Sequence, residues 1–100
     1  MNKITPVSDA LVIVEGRDNV AVVFRTIEAG ESLRIKRGGE SLSLSARTAV
    51  PTYHKIALSD FSPGDPVYKY GEQIGCAILP IAAGEHVHDH NMASALATVN

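Results

Sequence analysis

One turn design occurs three times in this chain and limits what the chain can fold into. Each copy has an apolar residue, two further residues, a glycine, an acidic residue, one more residue and a second apolar residue; the copies span residues 27–33, 61–67 and 81–87. Glycine at the fourth position permits a tight bend that other residues resist. The copies are unequally spaced, which excludes a regular solenoid. The design therefore predicts short strands that begin directly after sharp turns.

The segments around these turns show the alternation of strands. Residues 32–35 and 41–44 alternate polar and apolar side chains on either side of Gly38-Gly39, which predicts a hairpin. Residues 67–70 and 73–78 form a second predicted hairpin. The other assignments are strands at 10–14 and 56–58, a turn at 15–19, a strand or a short buried helix at 20–25, and a helical turn or a frayed end at 92–97. Together they predict a compact, mostly β, barrel-like fold with little helix.

Composition fits one small globular domain and excludes some partners. The chain has 100 residues, of which 45% are hydrophobic, so it can bury a modest core. It has no tryptophan and few aromatic residues, so the core must consist of Val, Ile, Leu and Ala. The net charge is −2 and the basic residues are scattered, which argues against a nucleic-acid partner.

The sequence also bears on the cellular compartment. No apolar run approaches the ~20 residues that span a bilayer, so no membrane partner is expected. The start of the chain lacks the apolar core of a signal peptide. Cys76 is the single cysteine, which excludes an internal disulfide and fits a reducing cytoplasm. Because Cys76 lies in an apolar run, we expect it to serve packing.

Three of the four histidines recur at every second position, as His86, His88 and His90. In a strand they would share one face, about 6.6 Å apart. One interpretation is a solvated edge strand; the other is metal ligation or binding of a polar substrate. Asp89 would point to the opposite face of an ideal strand, so no carboxylate completes a metal motif.

Other polar residues have two interpretations each. His54 is structural, or with Lys55 it supplies a proton carrier and an anion binder side by side. Asp18 is most simply a turn residue. Lys69 and Glu72 flank a predicted hairpin tip, where they are solvated or contact an acidic substrate or a partner chain. No known catalytic triad, phosphate loop or dinucleotide fingerprint is present, and the domain is small for a water-excluding pocket, so catalysis by this chain alone is not expected.

An ordered series of motifs resembles a known family. His-Lys at 54–55, Lys-Tyr-Gly-Glu-x-Ile-Gly at 69–75 and His-x-His-Asn at 88–91 occur in the order typical of the small SAF-type domain of the altronate/galactarate dehydratase family. Residues 18–21 and 64–67 match as well. The resemblance covers roughly residues 10–91 and implies a SAF-type β-clip fold of short hairpins, in a single domain of residues 1–100 with flexible ends.

The resemblance also implies a function. Family members dehydrate sugar acids to 2-keto-3-deoxy acids with a divalent metal such as iron(II) or manganese, and close relatives eliminate sulfite from sulfolactate. We expect the small subunit of an altronate- or galactarate-like hydro-lyase, inactive without a large catalytic subunit. The alternatives are a sulfolactate sulfo-lyase small subunit and a non-catalytic module that binds a metal or an acidic ligand. Self-association into a homo-oligomer is left open.

Site residues follow from the matched positions. The implied roles are catalysis for His54, Lys55 and His88, substrate binding for Asn91, Lys69 and Asp18, and metal ligation for His88, His90 and His86. His86 falls where the family pattern is looser. The family commonly has glycine before the first of these histidines, whereas this chain has Tyr53, which bears on the identity of the substrate.

Overall fold

The computed structural model describes residues 16–94, which form eight short strands and no helix. The mostly β prediction is therefore confirmed. These residues therefore contain no helix that could span a membrane. The strands are β1 (Val20–Val22), β2 (Ser32–Arg37), β3 (Glu40–Ser45), β4 (Lys55–Ala57), β5 (Pro66–Lys69), β6 (Glu72–Ala77), β7 (His86–Val87) and β8 (Met92–Ser94).

The strands form three small antiparallel sheets. The central sheet has the order β1-β4-β7, a second sheet is the hairpin β2-β3, and the third has the order β5-β6-β8. Both predicted hairpins are confirmed. In the β5-β6 hairpin, Tyr70 and Gly71 have φ values of 56° and 80°, and Lys69 pairs with Glu72. Two positive φ values in a two-residue loop define a type I′ turn, whose twist suits antiparallel strands.

The repeated sequence design is one repeated turn geometry. Its glycines, Gly30, Gly64 and Gly84, have φ values of 92°, 95° and 92°. In each copy the acidic residue after the glycine accepts, through its carboxylate, the backbone N–H of the residue three positions earlier, at 2.6 to 2.8 Å. The acidic residue thus closes the turn that the glycine opens, which explains why both recur.

The central sheet separates two groups of buried side chains. Ala21 and Ile56 pack into one cluster with the β2-β3 hairpin, and Val20, Ala57 and Val87 pack into the other with the third sheet. Neighbouring residues of a strand point to opposite faces, so β1 and β4 contribute to both clusters. The site described below lies on this shared sheet.

Two assignments at the end of the chain are corrected. The predicted strand over 86–90 stops at Val87, and His88 begins a turn. Met92–Ser94 is a strand paired with β6 rather than the start of a helical turn. The sequence left open whether residues 20–25 form a strand or a short buried helix; residues 20–22 form a strand. The predicted strand at 10–14, the flexible ends and the rest of the last segment lie outside the described residues.

Candidate functional site

Antiparallel pairing of β4 with β7 brings His54 to the histidine segment. Lys55 pairs with Val87 and Ile56 with His86, and continuing this register by one residue places His54 opposite His88. His54 and Ile56 lie two apart and share a face, as do His86 and His88. Three imidazoles from two distant segments therefore lie together at one end of the central sheet.

The ring distances show how tightly these imidazoles cluster. The His54 and His88 rings stack with centroids 4.0 Å apart, and those of His86 and His88 lie 5.7 Å apart. Nδ1 of His54 lies 2.8 Å from Nε2 of His86, so one nitrogen donates a hydrogen bond and the other accepts it. One ring nitrogen from each of these three residues lies within 4.8 Å of the other two, close enough together for the three to hold one metal ion.

The fourth histidine is brought back by a turn. The Asn91 side-chain oxygen accepts the backbone N–H of His88 at 2.9 Å, and its amide group donates to the carbonyl of His86 at 2.8 Å. These bonds fold residues 88–91 back, so the exposed His90 ring lies 5.1 Å from that of His86. Asn91 thus positions the histidines; the substrate-binding role proposed for it stays a prediction.

One polar atom in the cluster has no partner. Nδ1 of His88 is buried and makes no hydrogen bond among the described residues. Such an orphan is uncommon in folded proteins and calls for an explanation such as a bound ion. Three converging imidazoles, one with a buried unpaired nitrogen, fit a divalent metal of the kind that imidazole favours.

Burial and crowding of charge lower the pKa values of three groups at the site. Burial, with the charges of His88 and Lys55, lowers the pKa of His54. Burial and the neighbouring imidazoles lower the pKa of His86 to about 4. Burial and the charge of Lys69 likewise lower the pKa of the Lys55 amine. His54 and His86 are therefore neutral near pH 7, the state in which imidazole binds metals or accepts protons.

The lowered pKa of His86 predicts how stability depends on pH without metal. Between pH ~6.5, the ordinary histidine pKa, and about 4, the unfolded chain binds a proton that the folded chain does not. Stability should therefore fall as pH falls through this window. We expect the melting temperature in a chelator to decrease from pH 7 to pH 4.5, with a shallower slope for His86→Gln. Equal slopes for the two proteins would contradict the prediction.

Tyr53, next to the cluster, occupies a strained position. The His54 N–H donates to the carbonyl of Pro51 at 3.0 Å, and Tyr53 at the third position of this turn has a φ of 67°. Glycine or asparagine is preferred there, because a left-handed conformation costs other residues about 1–2 kcal/mol. The side chain is 72% exposed and contributes little packing.

Tyr53→Gly should therefore stabilise the fold. We expect a gain of about 0.5–1 kcal/mol in the free energy of unfolding, after allowing for the greater freedom of glycine in the unfolded chain. Urea denaturation measures it. Phe24→Gly is a matched control, since Phe24 is 48% exposed and has no positive φ, and it should destabilise. Equal losses for both variants would refute the strain argument.

Asp18 and Lys69, two further predicted site residues, lie outside the imidazole cluster. The carboxylate of Asp18 is buried and accepts the N–H groups of Tyr70 and Gly71 at 2.8 and 2.7 Å. Within residues 16–94 no contact joins Asp18 to the imidazoles. The Lys69 amine lies over the Tyr70 ring, 5.3 Å from its centroid, and its charge reaches Lys55. Their substrate-binding roles stay predictions.

Sequence reasoning missed Thr48, whose hydroxyl accepts the His86 backbone N–H at 3.0 Å. An exposed threonine in a loop gives no signal in the sequence. The sequence analysis also assumed an ideal strand at Asp89, which would point its side chain away from the histidines. Asp89 lies instead in the turn, where its charge opposes the lowering of the pKa values of His54 and Lys55.

Fold and site together define a small hairpin domain that presents an imidazole cluster at the end of its central sheet. The chain belongs to the altronate/galactarate dehydratase SAF domain family, whose model matches residues 9–95. The family recognised in the motif series is thereby confirmed.

Named relatives fall into two groups. The chain is 38% identical over 78 residues to altronate dehydratase of Escherichia coli and 34% identical over 86 residues to that of Bacillus subtilis. The matches cover 78% and 86% of this chain but only 15% and 16% of those enzymes. It is also 36% identical over 73 residues to the (2R)-sulfolactate sulfo-lyase subunit alpha of Chromohalobacter salexigens, covering 71% of this chain and 78% of that subunit.

Proposed function

We propose that this chain is the small subunit of a sugar-acid dehydratase. With a large catalytic subunit, it would remove water from an altronate- or galactarate-like acid to give a 2-keto-3-deoxy acid. The observation that carries the proposal is the cluster of His54, His86 and His88 beside Lys55, in a family whose relatives include altronate dehydratases. A single unpaired cysteine supports a cytoplasmic location.

The chemistry of dehydration matches these residue types. Removing the proton beside a carboxylate builds negative charge on that carboxylate, which the half-buried Lys55 amine would stabilise. A neutral imidazole can accept the proton, and the lowered pKa keeps His54 neutral near pH 7. The large subunit would complete the walls that exclude water, because the cluster lies at the end of a sheet in a small domain.

A divalent metal fits the three imidazoles His54, His86 and His88. Bound there, it would act as a Lewis acid toward the substrate oxygens. Of the two ions implied by the family, the all-nitrogen donor set favours iron(II), since manganese prefers oxygen ligands. A ring nitrogen that ligates the ion cannot also accept a proton. The catalytic roles of His54 and His88 therefore depend on which subunit holds the metal.

A second candidate is the small subunit of a sulfolactate sulfo-lyase. Two relatives named as subunit alpha are matched over 78% and 72% of their own length, unlike the altronate dehydratases. Elimination of sulfite also begins beside a carboxylate, so the same Lys55 and imidazoles would serve. The two candidates differ in the leaving group and in the length of the substrate.

Reconstitution tests the proposal. We expect the isolated chain to show little activity on altronate, galactarate or sulfolactate, and we expect addition of the proposed large catalytic subunit to restore activity on a sugar acid. Activity on sulfolactate alone would favour the second candidate. Full activity of the isolated chain would refute the two-subunit scheme. Metal binding with no lyase activity in the mixture would indicate a non-catalytic binding module.

A further inference from the structure

A cleft of about 300 Å³ begins where the imidazole cluster ends. His86 belongs to both, since its Nε2 lies 2.8 Å from Nδ1 of His54 and its side chain lines the cleft. The volume is at the small end of the ~300–1,000 Å³ typical of ligand clefts. A small molecule with one end at the imidazoles therefore has room to extend into it.

The lining mixes apolar and polar groups. Ala49, Leu79 and Pro80 supply apolar surface, and Leu79 is 49% exposed. Thr48 and Glu85 are among the polar contributors. A carbon chain with a hydroxyl on each carbon offers both C–H surface and hydrogen-bonding groups, which suits such a lining.

The polar groups have hydrogen-bonding capacity left for a ligand. The Thr48 oxygen accepts the His86 N–H, so its own O–H can donate elsewhere. Glu85 uses Oε1 to accept the Ala82 N–H at 2.8 Å, and within residues 16–94 its Oε2 has no partner. The ring nitrogens of His90 are likewise unpaired among the described residues. A hydroxyl both donates and accepts, so it can satisfy all three groups.

The charges near the cleft determine in which direction a bound sugar acid would be oriented. The Glu85 carboxylate repels a second carboxylate, whereas the Lys55 amine attracts one. Alternation puts the Lys55 side chain on the opposite face of β4 from His54, but its charge still acts on both His54 and His86. The acid end therefore points toward Lys55 and the imidazoles, and the uncharged end points toward Glu85.

We propose that this cleft binds the hydroxyl-bearing tail of an acyclic sugar acid, with Thr48, Glu85 and His90 as the residues that select for chain length. This inference rests on the proposed function and adds the orientation of the substrate. A three-carbon acid held at Lys55 would leave the cleft unused.

Two variants and their matched controls test the cleft. Glu85→Gln keeps the oxygen that accepts the Ala82 N–H but removes the charge, and Glu40→Gln changes an exposed glutamate in the β2-β3 hairpin. Ala49→Leu narrows the cleft, and Ala29→Leu adds the same bulk to an exposed turn elsewhere. A six-carbon alditol, which has the hydroxyl chain without the acid, is the probe for binding to the whole chain, followed by NMR of the backbone amides.

We expect the alditol to shift the amides of Thr48, Glu85 and His90. Glu85→Gln should raise its dissociation constant at least fivefold, and Glu40→Gln should not. With the large subunit, Glu85→Gln and Ala49→Leu should lower kcat/KM for the sugar acid about tenfold, mainly through KM, with unchanged metal affinity. Shifts elsewhere, or equal effects of each variant and its control, would overturn the proposal. If the complex showed no activity on any sugar acid but the alditol still bound in the cleft, the proposed function would be refuted. The cleft would then remain a binding site for a polyhydroxyl chain.

Discussion

Replacing His88 with alanine is expected to weaken binding of a divalent metal to this chain about 100-fold or more. His88 offers the buried nitrogen without a hydrogen-bond partner, and its ring stacks on that of His54 at 4.0 Å. Removing one of three converging ligands leaves two, and each tenfold loss in affinity corresponds to about 1.4 kcal/mol. Calorimetric titration with iron(II) under anaerobic conditions measures the loss, with zinc as a second probe because imidazole also binds it well.

His90→Ala is the matched control for this experiment. His90 is exposed and does not belong to the group of converging nitrogens. Its removal should change metal affinity less than about tenfold, below the loss that removal of an outer-shell partner typically causes. The family pattern instead assigns His90 as a ligand. If His90→Ala were as damaging as His88→Ala, the ligand set of His54, His86 and His88 would be wrong.

Replacing Asp18 with alanine is expected to give the largest loss of stability among the polar residues discussed. Its carboxylate is 1% exposed and accepts two backbone N–H groups from the β5-β6 turn. A hydrogen bond to a charged group contributes about 1.5–3 kcal/mol, and water can replace part of that in the exposed turn. We therefore expect a loss of about 2–4 kcal/mol in the free energy of unfolding by urea denaturation.

Asp65→Ala provides the comparison for Asp18. The Asp65 carboxylate also accepts a backbone N–H, that of Ser62 at 2.7 Å, but Asp65 is exposed and its side chain accepts only this one among the described residues. Its loss should cost about 1 kcal/mol or less. Similar losses for the two variants would show that burial of Asp18 adds nothing to its role.

Local turn chemistry made much of the fold predictable from the sequence. Gly38 and Gly71, each with a positive φ, set the two hairpins, because the loop conformation fixes both the turn type and the strand register. The three-fold turn design was visible for the same reason, since its glycine and its acidic residue are close in sequence. The end of β7 was not predictable in this way. The strand stops at Val87 because Asn91 bonds back to His86 and His88, and strand alternation does not contain that information.

The candidate site was predictable only in part. The rings of His86 and His88 do lie close together, 5.7 Å apart, although the strand whose alternation predicted this ends between them at Val87. The stacking of His54 on His88 depends on the pairing of β4 with β7, which no local pattern specifies. The motif order of the family was what linked the two segments. Thr48 could not be found, since its importance comes from one bond to His86.

The shared central sheet sets the order of events during biosynthesis. His54 and His86 are 32 positions apart, and they meet only when β4 and β7 have paired. While the chain leaves the ribosome, His54 emerges without its partner ligands, and a half-made chain holds no preformed site for an ion. An ion held by these three imidazoles would therefore be loaded only after the fold is complete, so its occupancy would report that the domain has matured.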